Sequence, residues 1–191
     1  MKKFIIAVLS CLFFVSCQQN EEPKEILSNS IFQLDSDWET QDGEKIKLAS
    51  LQGKTLVMVM IYTSCKTACP RLTADMRRID MEVGDKHSDE TRYVLISIDP
   101  KADTTEKMKQ YLKDNEMTGE QWMFIRSDEA STKELANVLA VKYKQISPID
   151  FSHSNIISVF SKNGVLAYQK DGLEIDISSV VQEVKKQQKA N

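Results

Sequence analysis

Apolar residues along this chain recur with two different periods. Residues 55–61, Thr-Leu-Val-Met-Val-Met-Ile, form a nearly unbroken apolar run. A short run of this kind, bounded by polar residues, predicts a strand covered on both faces, here over 56–62. Residues 93–98 repeat the pattern, and 122–125 give a shorter strand. Between these runs the spacing turns helical. It predicts one helix near Cys69–Val83 and a second capped by Thr104 or Thr105 and running through Leu112. A third covers 131–141, with Leu135, Val138 and Leu139 on its apolar side. Residues 38–48 read as a hairpin around Asp42-Gly43, and 156–160 with 165–168 as another around Asn163-Gly164. A last amphipathic helix holds Ile175, Val180, Val181 and Val184, and its end, Lys185-Lys186-Gln187-Gln188-Lys189, reads as solvated. Strands alternating with helices and closed by a hairpin and a helix predict an α/β fold. It has a central mixed sheet flanked by helices and an N-terminal hairpin. Met58, Met60 and Met76 are expected in its core.

The start of the chain does not fit that pattern. Lys2 and Lys3 precede an apolar stretch from Phe4 to Val15, shorter than the roughly 20 residues of a membrane span. This reads as a secretion signal. It ends in Phe14-Val15-Ser16-Cys17, which resembles a bacterial lipobox, although Phe14 stands where Leu is usual. Residues 1–16 are therefore expected to be cleaved and Cys17 lipidated. Polar residues 17–30, with Glu21, Glu22, Pro23, Lys24 and Glu25, read as a flexible tether. Residues 31–191 have room for one domain and little more. The expected location is the cell envelope, lipid-anchored, with the domain on the non-cytoplasmic side.

Charge narrows the partners. The formal net charge is −3, and loss of Lys2 and Lys3 with the signal takes it to −5. Nothing here suggests nucleic-acid binding.

Four cysteines are present. Cys11 would leave with the signal and Cys17 would carry lipid. Cys65 and Cys69 remain as the thiols, in Thr63-Ser64-Cys65-Lys66-Thr67-Ala68-Cys69-Pro70, at a strand-to-helix turn. Residues four apart on a helical face are about 6 Å apart, so the pair can close a disulfide. It can equally give two thiolates to one soft metal ion. A four-residue loop gains little entropic stabilisation from cross-linking, which argues for a working pair over a structural staple. A cysteine pair just after a strand of an α/β unit reads as thioredoxin-like. A helix N-terminus there favours a thiolate, and Lys66 either adds to that effect or simply faces solvent.

Of the two histidines, His87 lies in a hydrophilic stretch, 84–90, and reads as an exposed loop residue. His153 lies in a loop just before the strand at Ile156. In a thioredoxin-like sheet that loop faces the cysteine turn. It often carries a cis-proline, whereas this chain has His153 and no proline directly before the strand.

With these residues in place the chain resembles the Sco/SenC family of membrane-tethered copper-binding proteins, over about residues 38–172. Residues 63–70 match the family's T-x-C-x-x-x-C-P. Residues 97–104, Ser-Ile-Asp-Pro-Lys-Ala-Asp-Thr, match its S-x-D-P-x-x-D-T, and His153-Ser154 matches its histidine-serine. Lys66 and Thr67 stand where members often have Pro and an acid. Ser152 stands where Asp is common, and Thr105 where Pro is frequent.

The resemblance implies a thioredoxin-like fold and a metallochaperone holding Cu(I) or Cu(II) through Cys65, Cys69 and His153. The implied partner is the copper-accepting subunit of a respiratory oxidase or another exported cuproprotein. The rival reading is a thiol–disulfide reductase in which Cys65 and Cys69 are a redox-active pair. It has no need of His153. A peroxidase is disfavoured, because Tyr62 stands three residues before Cys65 where peroxiredoxins use Thr.

Overall fold

The computed structural model describes residues 26–84, 89–148, 150–173 and 175–190. The expectations for Cys11, Cys17 and His87 fall outside the described residues. The elements in chain order are β1 (Asp37–Thr40), β2 (Lys45–Lys47), β3 (Thr55–Ile61), α1 (Cys69–Val83), β4 (Thr91–Ser97), α2 (Thr105–Asp114) and β5 (Trp122–Arg126). They continue with α3 (Glu129–Val138), β6 (Tyr143–Ser147), β7 (Asp150–His153), β8 (Ile156–Phe160), β9 (Leu166–Asp171) and α4 (Ser178–Lys189).

A seven-stranded mixed sheet with strand order β2-β1-β5-β4-β3-β8-β9 forms the centre. β3, β4 and β5 run parallel, while β8 pairs antiparallel with β3 and β9 with β8. This is the thioredoxin-like α/β arrangement expected from the sequence, with the predicted N-terminal hairpin β1–β2 added beyond β5. Every residue of β3 is buried, because strands and helices cover it on all sides. That explains its unbroken apolar composition, where a half-exposed strand would alternate. Met58 and Met60 lie in this core, as does Met76 on α1. Each such side chain stabilises the fold by roughly 1.5–3 kcal/mol.

α1 buries Cys69, Leu72, Thr73, Asp75, Met76 and Ile79, the spacing of a single helical face. Thr73 Oγ1 lies 2.7 Å from the Tyr111 hydroxyl of α2. Buried Asp75 accepts from the amide of Ile175 at 3.4 Å, tying the approach to α4 onto α1. Among the described residues no helix is long and apolar enough to cross a membrane.

Four details differ from the sequence reading. α3 starts at Glu129, capped by Asp128, whose carboxylate accepts from the Ser131 amide at 2.7 Å. It stops at Val138, because Ala140 adopts φ +54, so Val138 is exposed instead of facing the core. Ile175 is buried but precedes α4. Gln188, in the end read as solvated, is buried and donates to Thr91 Oγ1 at 2.9 Å. The segment read as a loop before Ile156 is a second, two-stranded sheet, β6–β7. Its side chains are mostly exposed, so no alternation of apolar residues marks it.

Candidate metal centre

The site lies where β3 ends and α1 begins. The turn between them is held from below by a carboxylate. Asp103 is fully buried and accepts from the Thr63 amide at 3.1 Å, the Thr63 hydroxyl at 2.5 Å and the Ser97 hydroxyl at 2.6 Å. Burial pushes its carboxyl above the ordinary range, against the pull of these hydrogen bonds. Asp103 thus fixes the backbone two residues before Cys65. Asp99 shares the Ser97 hydroxyl, donating its amide to it at 3.1 Å.

Helix α1 begins at Cys69 itself, so Cys65 lies in the turn instead of one helical turn back on the same helix. Its sulfur takes the place of a capping oxygen, accepting from the Cys69 amide at 3.4 Å. Both cysteines are free thiols. Cys69 is fully buried and Cys65 is 6% exposed.

The two sulfurs differ electrostatically. Burial works to raise the Cys65 thiol. Hydrogen bonds from the Cys69 thiol and the amides of Cys69 and Thr67 outweigh it, so the thiol sits below its ordinary value. Burial, reinforced by Cys65, pushes the Cys69 thiol well up. Lys66 is exposed, beside Thr67, Pro70, Arg71 and Leu173. Backbone amides, more than this lysine, prepare the Cys65 thiolate.

His153, the last residue of β7, reaches the same point from the other side. Its Nε2 lies 3.6 Å from Cys69 Sγ. Its Nδ1 lies 3.0 Å from the Ser154 carbonyl. A carbonyl can only accept, so Nδ1 carries the proton and the Nε2 lone pair faces the sulfurs. One donor atom from each of Cys65, Cys69 and His153 lies within 4.8 Å of the others. Three donors around one first-row ion at roughly 2.0–2.3 Å lie about 3.3–4.0 Å apart. The three side chains therefore fit one ion with little movement. Two thiolates and an imidazole also suit copper.

The comparisons with known proteins agree. The SCO1/SenC family model matches residues 26–189. The chain belongs to the SCO1/SenC family. The SCO1 protein homolog of Bacillus subtilis is 24% identical over 140 residues, 72% of each chain. The fold is shared with Arabidopsis thaliana ScoI, solved with copper bound, at TM-score 0.69 and 19% identity, over 79% of this chain and 96% of that one. It is also shared with BsSco, at TM-score 0.71 and 21% identity, over 81% of this chain and 92% of that one. BsSco is described as carrying a disulfide switch and as a member of the Sco family of cytochrome c oxidase assembly proteins.

The structure thus brings together the three side chains expected as ligands. The support beneath them was less visible in the sequence. Asp103 lies 40 residues from the Thr63 it holds, and the signal for it was the Asp-Pro-x-x-Asp-Thr run. Nothing in the sequence singled out Tyr62 as a partner of the hairpin that carries His153.

The unequal thiols give a direct expectation. In the reduced, metal-free domain Cys65 should be alkylated first. Its rate should rise with pH through a midpoint below that of an ordinary thiol, because a lowered pKa populates the thiolate at lower pH. Timed alkylation with peptide mapping reads this, and first modification of Cys69 would reverse the assignment.

Proposed function

We propose that this protein is a membrane-tethered copper metallochaperone. Cys65, Cys69 and His153 take copper as cargo and pass it to a copper-accepting subunit of a respiratory oxidase or another exported cuproprotein. The observation that carries the reading is the seat of His153, with its Nε2 lone pair turned toward Cys69 at 3.6 Å. A thiol–disulfide reductase needs two sulfurs and no imidazole beside them. Soft thiolates favour Cu(I), while imidazole suits both oxidation states. With both sulfurs ionised the site is singly negative around Cu(I) and neutral around Cu(II). Membership of the SCO1/SenC family and the copper-bound ScoI fold support copper as the metal. The description of BsSco supports an oxidase as the destination.

His153→Ala separates the two readings. It should weaken Cu(II) binding by more than tenfold, since even an outer-shell change costs 10–100-fold, and alter the sulfur-to-copper absorption. Cys65–Cys69 oxidation should proceed as before. Unchanged copper affinity and spectra would remove His153 from the site and favour the reductase.

The tether belongs to the same proposal. Lys2, Lys3, the short apolar run and Ser16-Cys17 support removal of residues 1–16, lipid on Cys17 and a domain held at the outer side of a membrane. Mass spectrometry of the mature protein should find an acylated Cys17 as its first residue, and a mature N-terminus elsewhere would contradict this.

A further inference from the structure

His153 is carried by an element outside the main sheet. The β6–β7 hairpin pairs with itself, Tyr143 opposite His153 and Gln145 opposite Phe151, with an irregularity between Gln145 and Ser147. Tyr143 and Phe151 pack partly buried against the core, but most of the hairpin's side chains are exposed, so burial alone fixes its position over the cysteine turn weakly. A ligand on such an element stays in place only if something else holds the hairpin.

That hold is visible at one side chain. Tyr62 follows β3 directly and stands three residues before Cys65, and it is 1% exposed. Its hydroxyl donates to Asp150 Oδ1, and the same oxygen accepts from the Phe151 amide at 3.2 Å. The ring packs edge-on against Phe151, with centroids 5.2 Å apart, and against His153 at 6.0 Å. One residue therefore grips the strand that bears His153 while its own backbone leads into the cysteine turn. Burial, then the Asp150 hydrogen bond, push the phenol above its ordinary value, so it stays a donor.

We propose that Tyr62 and Asp150 form a clasp that positions His153 against Cys69, with Tyr62 coupling the cysteine turn to the histidine hairpin. The role in metal binding rests on the copper reading above; the role in holding the hairpin does not. Both are positioning residues acting through His153. Opening the clasp frees the hairpin, and His153 with it, to move away from the cysteine turn.

Three variants test this in the full domain. Tyr62→Phe keeps the ring and removes the hydroxyl. Asp150→Ala removes the other half at an exposed position, where folding is not at stake. Asp150→Asn keeps an acceptor oxygen and should rescue.

In the reduced, copper-free domain, amide exchange across residues 150–154 should quicken about tenfold in Tyr62→Phe and Asp150→Ala. It should stay near wild type in Asp150→Asn and be unchanged in β3 and β4. The His153 ring resonances should broaden or shift in the same two variants. In the Cu(II)-loaded domain those two should lose copper to a chelator about tenfold faster, within the range for outer-shell changes. Their sulfur-to-copper band should move toward that of His153→Ala.

Unchanged exchange and ring resonances in both variants would overturn the clasp. Faster exchange with an unmoved copper spectrum would overturn its role toward the ligand. A wild-type domain that takes no copper would defeat the copper reading, while exchange and ring resonances would still decide whether Tyr62 and Asp150 position His153.

Discussion

Oxidising Cys65 and Cys69 to a disulfide is expected to expel copper completely from the domain. The metal ligand is the thiolate, and a disulfide leaves neither sulfur in that form. The geometry allows the bond. Cys65 Sγ already lies 3.4 Å from the Cys69 amide, and the donor atoms of both cysteines fall within the same 4.8 Å cluster. A four-residue loop adds little stability when closed, so the bridge should be readily reversible. Bound copper should conversely protect both thiols from alkylation. Metal content and thiol count followed together through an oxidation should fall in step, with re-reduction restoring copper uptake. Copper retained by the fully disulfide-linked protein would show that redox state and metal binding are not coupled.

The pair and its surroundings were unequally legible in the sequence. β3, β4 and α1 were read nearly to the residue. Their apolar patterns follow directly from burial on both faces of a parallel sheet, or on one face of a helix. The asparagine-glycine and aspartate-glycine hairpins were read from turn chemistry, and Gly43 and Gly164 do take positive φ, +81 and +73. The cysteine pair announced itself by spacing.

His153 was found by its place before β8, but the strand that carries it was missed, because β6 and β7 expose most of their side chains and offer no period. The clasp and the Asp103 support were not legible for another reason. Tyr62 and Asp150 are 88 residues apart, and Thr63 and Asp103 are 40 apart. Such contacts exist only once the sheet has formed. Val138 was misplaced because the helical period does not announce where Ala140 will turn the chain out of the helix.

The second large effect concerns the sulfurs themselves. Cys69 is fully buried and Cys65 caps the first amide of α1, so serine at both positions keeps similar size and capping ability. It removes the soft donors on which copper affinity depends. The double substitution should leave the fold in place, as circular dichroism would show, and leave His153 as a single donor with no partner ligands.

The most direct measurement is therefore copper content by elemental analysis. Reduced wild-type domain and Cys65→Ser/Cys69→Ser would each be titrated with copper and passed through a competing chelator. The account predicts about one copper per wild-type domain, with intense sulfur-to-copper absorption for Cu(II), and none for the double variant. Equal copper in the two proteins, or none in the reduced wild type, would contradict it.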